Sequence, residues 1–206
     1  MPLNCAWIVW RRECKADEMI TVEPLNESHL GDLAILFASD AATDRCWCMW
    51  FLRPVKEFHA VGHDGNRSSF MALVLSSPTP MGVVAYNDGD AIGWAATGPR
   101  NRYTRAIATP TMKQRTGDDD TTWLVPCFFV HAEYRSGGVA QALLEAATSM
   151  AASAGAAAIE GFPLAGPRRR AGGSDLMAGV EPLFVSGGFV VDHRPTDNRV
   201  VMRRVL

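Results

Sequence analysis

A short run of arginine, serine and glycine carries the clearest chemical signal in the sequence: Arg135-Ser136-Gly137-Gly138-Val139-Ala140. Glycine adopts backbone dihedrals that other residues avoid, and it lets a ligand approach the main chain closely. If a helix begins here, its unpaired N–H groups and the positive end of its dipole would suit a phosphate or pyrophosphate. The run therefore predicts an anion-binding turn. The alternative interpretation is a tight connection without a ligand.

The flanking residues predict a strand before this run and a helix after it. Cys127 to Val130 are strand-favouring residues, followed by a short polar link. The apolar residues after the run fall at steps of three and four, which gives a helix one buried face: Val139, Leu143, Ala147, Met150 and Ala154. Gly155 is typical of the position just past a helix end. A strand, a glycine turn and a helix would thus position the run.

The spacing Arg135-x-x-Gly138-x-Ala140 resembles the Q/R-x-x-G-x-G/A acyl-CoA-binding motif of the GNAT superfamily of N-acetyltransferases. In that family the motif follows a strand that ends in an apolar residue, here Val130, and opens a long helix. The resemblance covers residues 19–206 and implies a single α/β (α+β) domain, with residues 1–18 an N-terminal extension of unknown role. It implies a mixed sheet of six to seven strands, flanked by helices, with parallel strands four and five splayed apart.

The remaining pattern fits that order of elements. Gly82–Tyr86 and Ala91–Ala96 flank the turn Asn87-Asp88-Gly89-Asp90 and predict a hairpin that matches the second and third GNAT strands. Strand four is expected over Thr122–Val130, with Pro126 at an edge or a bulge. The other expected elements are a strand at Met19–Glu23, helices at His29–Ala38 and Asn66–Leu75, a strand at Ala156–Pro163, a helix at Leu176–Ser186, and strands at Phe189–His193 and Arg199–Leu206.

Size and composition narrow the functional classes. A chain of 206 residues suits one domain, and its net charge of −2 gives no reason to expect nucleic-acid or membrane binding. The five cysteines are an odd number and favour free thiols in a reducing cytoplasm. The apolar stretch Trp7–Trp10 is too short for a signal sequence or a membrane span. We therefore expect a cytoplasmic protein.

The resemblance implies acetyl-CoA as co-substrate. Pantetheine would pair with the strand-four backbone as an added strand, supplied here by Phe128, Phe129 and Val130. A strand-four amide would polarise the thioester carbonyl. The pyrophosphate would be held by Arg135, Ser136, Gly137, Gly138, Val139 and Ala140.

Proton transfer is less well defined by the residues. Family members commonly place a tyrosine on the short C-terminal helix to protonate the leaving thiolate, and Phe184 stands at that position here. Direct thiolate departure, a water molecule or Tyr134 would have to substitute. For the base we predict Glu160 first and His131 second. The alternatives are a Glu160 carboxylate satisfied by sheet-end amides or solvent, and a His131 that is a surface link residue. Cys127 is expected to pack and not to act as a nucleophile.

The acceptor site is expected in the aromatic segment Cys46–Phe51, with Trp47 and Trp50 lining the pocket. One alternative is a hydrophobic plug that contains buried thiols. Another is a zinc site built from Cys46, Cys48, His59 and His63, but this spacing differs from that of structural zinc modules. We therefore expect no metal.

The sequence as a whole predicts an acetyltransferase that moves an acetyl group from acetyl-CoA to a primary amine of a small molecule or peptide by direct transfer. It leaves both a monomer and a homodimer open. The alternative is a non-catalytic acyl-CoA-binding sensor on the same fold. The phenylalanine at position 184 keeps this alternative open.

Overall fold

The structure, a computed structural model, describes residues 20–112, 121–166 and 177–206. The expected extension at residues 1–18 and the first residue of the expected domain, Met19, lie outside the described residues. The strands are β1 (Thr21–Pro24), β2 (Gly82–Asn87), β3 (Asp90–Pro99), β4 (Thr122–Val130), β5 (Ala158–Gly161), β6 (Val190–Thr196) and β7 (Arg199–Val205). The helices are α1 (Leu30–Ala38), α2 (Ala41–Cys46), α3 (Val55–Ser76), α4 (Thr104–Ala108), α5 (Val139–Ser153) and α6 (Glu181–Ser186).

The strands form one seven-stranded sheet in the order β1-β2-β3-β4-β5-β7-β6. Neighbouring strands are antiparallel except β4 and β5, which are parallel and joined through α5. The hairpin of β2 and β3 closes through Asp88 and Gly89, both at positive φ. The expected mixed α/β fold, with parallel fourth and fifth strands, is confirmed.

Strand β4 carries the irregularity that opens the sheet. The pairing of β3 with β4 moves from Ala96↔Cys127 to Gly98↔Leu124, which spans two steps in β3 and three in β4. The extra residue places a bulge at Val125–Pro126, where proline has no N–H to contribute to the ladder. The pairing of β4 with β5 covers only 122–124 and 158–160. Beyond this point the two strands diverge, and β4 presents an open edge.

Helices cover both faces of the sheet. On one face α5 packs Val139, Leu143 and Leu144 against β2, β3 and β4. On the other face α1, α2 and α3 enclose a cluster that includes Trp94 and Phe129 of the sheet. Because the side chains of a strand alternate between faces, β4 contributes Phe128 to the first cluster and Phe129 to the second.

Two helices differ in extent from the expected elements. Helix α3 is longer than Asn66–Leu75 and contains a break at Gly62, where φ is 64°. Its first half is largely exposed, and the apolar spacing in the sequence marked only its second half. Helix α6 begins at Glu181 because Gly179 has positive φ and Val180 is extended. None of the helices in the described ranges combines the length and hydropathy of a membrane span.

Candidate active site

A cleft of about 440 Å³ lies where the open edge of β4 meets the N-terminus of α5. Eight of the nine residues predicted to bind the cofactor line it, and Gly137 is the exception: Phe128, Phe129, Val130, Arg135, Ser136, Gly138, Val139 and Ala140. Sequence reasoning did not find several further residues on its wall. Gln141 directly follows the motif, and the others come from distant parts of the chain: Asp40, Met177, Gly179, Val180 and Leu183. The structure thus brings together the strand end and the glycine turn.

The backbone of β4 directs alternate residues into the cleft. The N–H of His131 donates to the carbonyl oxygen of Ile92 in the β3–β4 ladder, at 2.9 Å. Because backbone groups alternate in direction along a strand, Phe128 and Val130 direct their N–H and C=O groups to the open edge. In agreement, Nε of Arg135 donates to the Val130 carbonyl oxygen at 3.1 Å. The backbone of Phe129 faces β3, so this residue contributes its side chain to the wall.

The glycine turn leaves main-chain donors at the start of α5. Gly138 is the N-cap residue at φ 86°, and no side chain caps this end. Bonding within the helix begins when Ala142 donates to the Gly138 carbonyl oxygen at 3.0 Å, so the earlier N–H groups have no carbonyl of the helix to bind. A Cβ at Gly138 would meet no described heavy atom within 4 Å. The space in front of these donors is open, which fits an anion.

Glu160, the first candidate base, is fully buried in β5 and does not line the cleft. Its Oε1 accepts a hydrogen bond from Nη1 of Arg203 at 2.6 Å. Burial raises the pKa of this carboxyl, and the ion pair with Arg203 acts in the opposite direction. In this structure Glu160 contacts Arg203 and not the open part of the cleft, so its catalytic role stays a prediction.

His131 and Tyr134 lie between the strand end and the glycine turn, with their ring centroids 6.0 Å apart. Nδ1 of His131 is buried without a hydrogen-bond partner among the described atoms. Tyr134 lines the cleft, whereas His131 does not. Of the groups considered for proton transfer, Tyr134 is therefore the one that the structure places on the cleft wall.

Phe184 lies in the core beneath the cleft, fully buried. Its ring meets Phe128 and Phe189 edge to face, with centroid distances of 5.9 Å and 5.1 Å. It also covers Gly161 of β5, where an added Cβ would lie 2.1 Å from Cε1 of Phe184. The residue at this position supplies packing and has no proton to donate.

The two tryptophans predicted to line the acceptor pocket lie at and just after the end of α2. Helix α2 ends in a left-handed residue, Trp47 at φ 45°, which turns the indole inward against Phe37 and leaves it 2% exposed. Trp50 is partly exposed, and the guanidinium carbon of Arg105 lies 3.4 Å from its ring centroid. Neither residue is part of the cleft wall.

The side chains considered for zinc are not gathered at one place. Nε1 of Trp94 donates to Sγ of Cys48 at 2.9 Å, and His63 pairs with Asp44 and Asp64. Burial and the neighbouring Cys48 raise the pKa of Cys46 to about 12, which disfavours the thiolate that binds metal. The described part of the chain contains no group of three or more His, Cys, Asp or Glu side chains that could hold a metal ion.

Comparison of the sequence with protein-family models identifies the family of this chain. The family model described as "Acetyltransferase (GNAT) family" matches residues 41–162, so the chain belongs to the GNAT acetyltransferase family. Acetyl-CoA, the co-substrate expected from the sequence, is the acetyl donor of that family. No curated protein sequence matches the chain.

Solved structures with the same fold include the PaiA N-acetyltransferase from Thermoplasma acidophilum in complex with coenzyme A. It has 11% identity and a TM-score of 0.53, covering 91% of this chain and 99% of that one. A GCN5-related N-acetyltransferase from Kribbella flavida has 19% identity and a TM-score of 0.53, covering 91% and 98%. YncA, a putative acetyltransferase from Salmonella typhimurium with its cofactor acetyl-CoA, has 15% identity and a TM-score of 0.50, covering 91% and 94%. At these identities the likeness shows the fold.

Proposed function

We propose that the protein is an N-acetyltransferase that moves an acetyl group directly from acetyl-CoA to a primary amine of a small molecule or peptide. The observation that carries the proposal is the cleft itself, which joins the outward backbone of Phe128 and Val130 to the donors at the start of α5. Pantetheine would extend along the strand edge, and the diphosphate would bind at Ser136–Ala140. The two halves of one elongated cofactor would thus find matching partners.

The chemistry follows from this placement. A neutral amine attacks the thioester carbonyl carbon, the C–N bond forms, and the C–S bond breaks to release the thiolate. An outward N–H of β4, from Phe128 or Val130, would stabilise the oxygen on which charge develops, and one such donor contributes about 2.7–4 kcal/mol. Holding amine and thioester in contact supplies a further large part of the rate.

The amine gives up one proton, and the thiolate takes one up. With Phe184 buried in the core, Tyr134 on the cleft wall is the group that we propose for protonating the thiolate. Tyr134→Phe keeps the ring and should lower kcat by roughly a hundredfold while the affinity for acetyl-CoA is unchanged. An unchanged kcat would mean that the thiolate leaves directly or through water. Glu160 and His131 remain the proposed bases.

The test of the cofactor site is thermal unfolding with acetyl-CoA, because a ligand that binds only the folded state raises its melting temperature. Gly138→Glu places a negative side chain in front of the expected diphosphate and should abolish the rise. Gly89→Glu is the matched control. Gly89 has nearly the same φ, 88°, and equally open surroundings, but it lies in the β2–β3 turn. Both variants should lose about 1–2 kcal/mol from strain in the left-handed region, and only the first should lose the response. A response retained in Gly138→Glu contradicts the diphosphate assignment.

The second candidate is a non-catalytic acyl-CoA-binding module, favoured by the buried Phe184 and by the Glu160 carboxylate held by Arg203. Thiol release from acetyl-CoA with amine acceptors separates the two functions. Release with any amine excludes the module, whereas tight binding with no release across a broad amine panel favours it.

A further inference from the structure

Asp40 is a carboxylate on the cleft wall that the proposed chemistry does not use. It connects α1 to α2 and is partly exposed. Its Oδ1 caps α2 by accepting hydrogen bonds from the N–H groups of Ala42 at 2.9 Å and Thr43 at 3.4 Å. Capping thus uses one carboxylate oxygen, and an asparagine would cap equally well. The negative charge itself is not required for the helix.

The cleft is electrically asymmetric. Among the described residues that line it, the charged side chains are Asp40 and Arg135. Arg135 belongs to the glycine turn that leads into α5 on one face of the sheet, and Asp40 belongs to the α1–α2 corner on the other face. The positive wall adjoins the donors proposed for the diphosphate. The acceptor would then bind beside the negative wall. This wall favours a cation over a neutral or anionic group.

The charge on Asp40 does not suit the nitrogen that reacts. A nearby carboxylate favours the protonated form of an amine, whereas attack on a thioester requires the neutral form. A carboxylate is better suited to a second cation on the same acceptor, because that cation keeps its charge throughout the reaction and can anchor the molecule.

We propose that Asp40 selects acceptors that carry a second positive charge, such as a diamine, and holds the ammonium that does not react. The inference rests on the proposed acetyltransferase activity and names its substrate class. It makes Asp40 a specificity residue that contacts the substrate, with its role in capping α2 retained.

The test uses three acceptors of equal reach and the full chain: 1,5-diaminopentane, pentylamine and 5-aminopentanoate. The wild type should show the highest kcat/KM for the diamine and the lowest for the amino acid. Asp40→Asn keeps the cap and removes the charge. It should lower kcat/KM for the diamine roughly tenfold, chiefly through KM, and leave the value for pentylamine within about twofold. Asp44→Asn, on the same helix but off the cleft wall, should change neither.

Four other outcomes would overturn either the role of Asp40 or the proposed function. If Asp40→Asn leaves the ratios among the three acceptors unchanged, the selection role is wrong. If it lowers kcat equally for all three, Asp40 acts on the reacting nitrogen and the remote-cation assignment falls. If acetyl-CoA raises the melting temperature but the wild type releases no thiol with the diamine, the substrate class is overturned. If acetyl-CoA gives no stabilisation at all, the failure is that of the proposed function.

Discussion

At the scale of single residues, the structure distinguishes between side chains that the sequence offered for proton transfer. Both Glu160 and Tyr134 are candidates for proton transfer. The buried carboxylate of Glu160 is hydrogen-bonded to Arg203, whereas the side chain of Tyr134 lines the cleft. The alternation of apolar and polar residues along a strand predicts which side chains face the core and which face the solvent. It does not predict which of the buried polar groups will find a partner, because Arg203 is 43 residues away along the chain.

Glu160 should make stability fall as pH rises. An ordinary glutamate releases its proton near pH 4.5, and burial raises the pKa of this one in the folded state. Between those two values the folded protein binds more protons than the unfolded chain, so the free energy of unfolding declines with increasing pH. The contribution is fully present below pH 4.5 and is lost through the higher, folded pKa. Glu160→Gln removes this decline, as measured by urea unfolding between pH 4 and pH 8.

Glu181 provides the control of opposite sign for that experiment. Its hydrogen bond from Arg194 lowers the pKa of the carboxyl, so its contribution is present above pH 4.5 and is lost on acidification. When the pH series is extended to more acidic values, the difference between wild type and Glu181→Gln should therefore grow with pH below pH 4.5, whereas the Glu160 difference shrinks above pH 4.5. Parallel pH curves for wild type and Glu160→Gln would contradict the raised pKa. A fall in kcat in Glu160→Gln would support its proposed role as the base.

At the scale of secondary structure, β4 and α5 were predictable because their signals are local. The strand-favouring run and the proline restrict the backbone, and the two glycines permit dihedrals that other residues avoid. Together they predicted the bulge, the turn and the helix start. Trp47 was not predictable in the same way. Its inward placement depends on a left-handed residue at the end of α2, a conformation that tryptophan rarely adopts and that the sequence does not announce.

The close approach of β5 and α6 gives a prediction at this scale. An alanine Cβ at Gly161 would lie 2.1 Å from the buried ring of Phe184, so Gly161→Ala must displace a ring that also packs on Phe128. Overpacking of this kind costs about 1–3 kcal/mol. Gly31→Ala is the matched control, because an added Cβ in α1 meets nothing within 4 Å among the described residues. It should stabilise by up to about 1 kcal/mol.

Urea unfolding measures both glycine variants. If Gly161→Ala and Gly31→Ala change the free energy of unfolding equally, α6 and the Phe184 ring shift away from β5 at little cost. In that case Phe184 would not be held in one position beneath the cleft, as its packing against Phe128 and Phe189 indicates.

At the scale of the whole molecule, the sequence predicted the order of the strands and helices, whereas it predicted only part of the cleft wall. The wall proposed for the cofactor comes from neighbouring residues of the chain, so its members could be named in advance. The rest of the wall includes Asp40, Met177 and Val180, which lie far from that motif in the sequence and have no distinctive pattern of their own. Sequence patterns report periodicity along the chain, and they contain no signal for residues that meet only because two helical layers close over one sheet.

We expect the domain to begin at Met19. The apolar clusters and the cleft wall, as far as the structure describes them, are built from residue 20 onward. A shortened chain that begins at Met19 should therefore unfold cooperatively and keep the full rise in melting temperature with acetyl-CoA. A chain that begins at Leu25 should be strongly destabilised, because it loses β1, whose four residues Thr21–Pro24 pair with β2, and the packing of Ile20 and Val22. Circular dichroism melts with and without acetyl-CoA compare the two with the full chain. Loss of the acetyl-CoA response in the chain that begins at Met19 would place residues 1–18 within the functional domain.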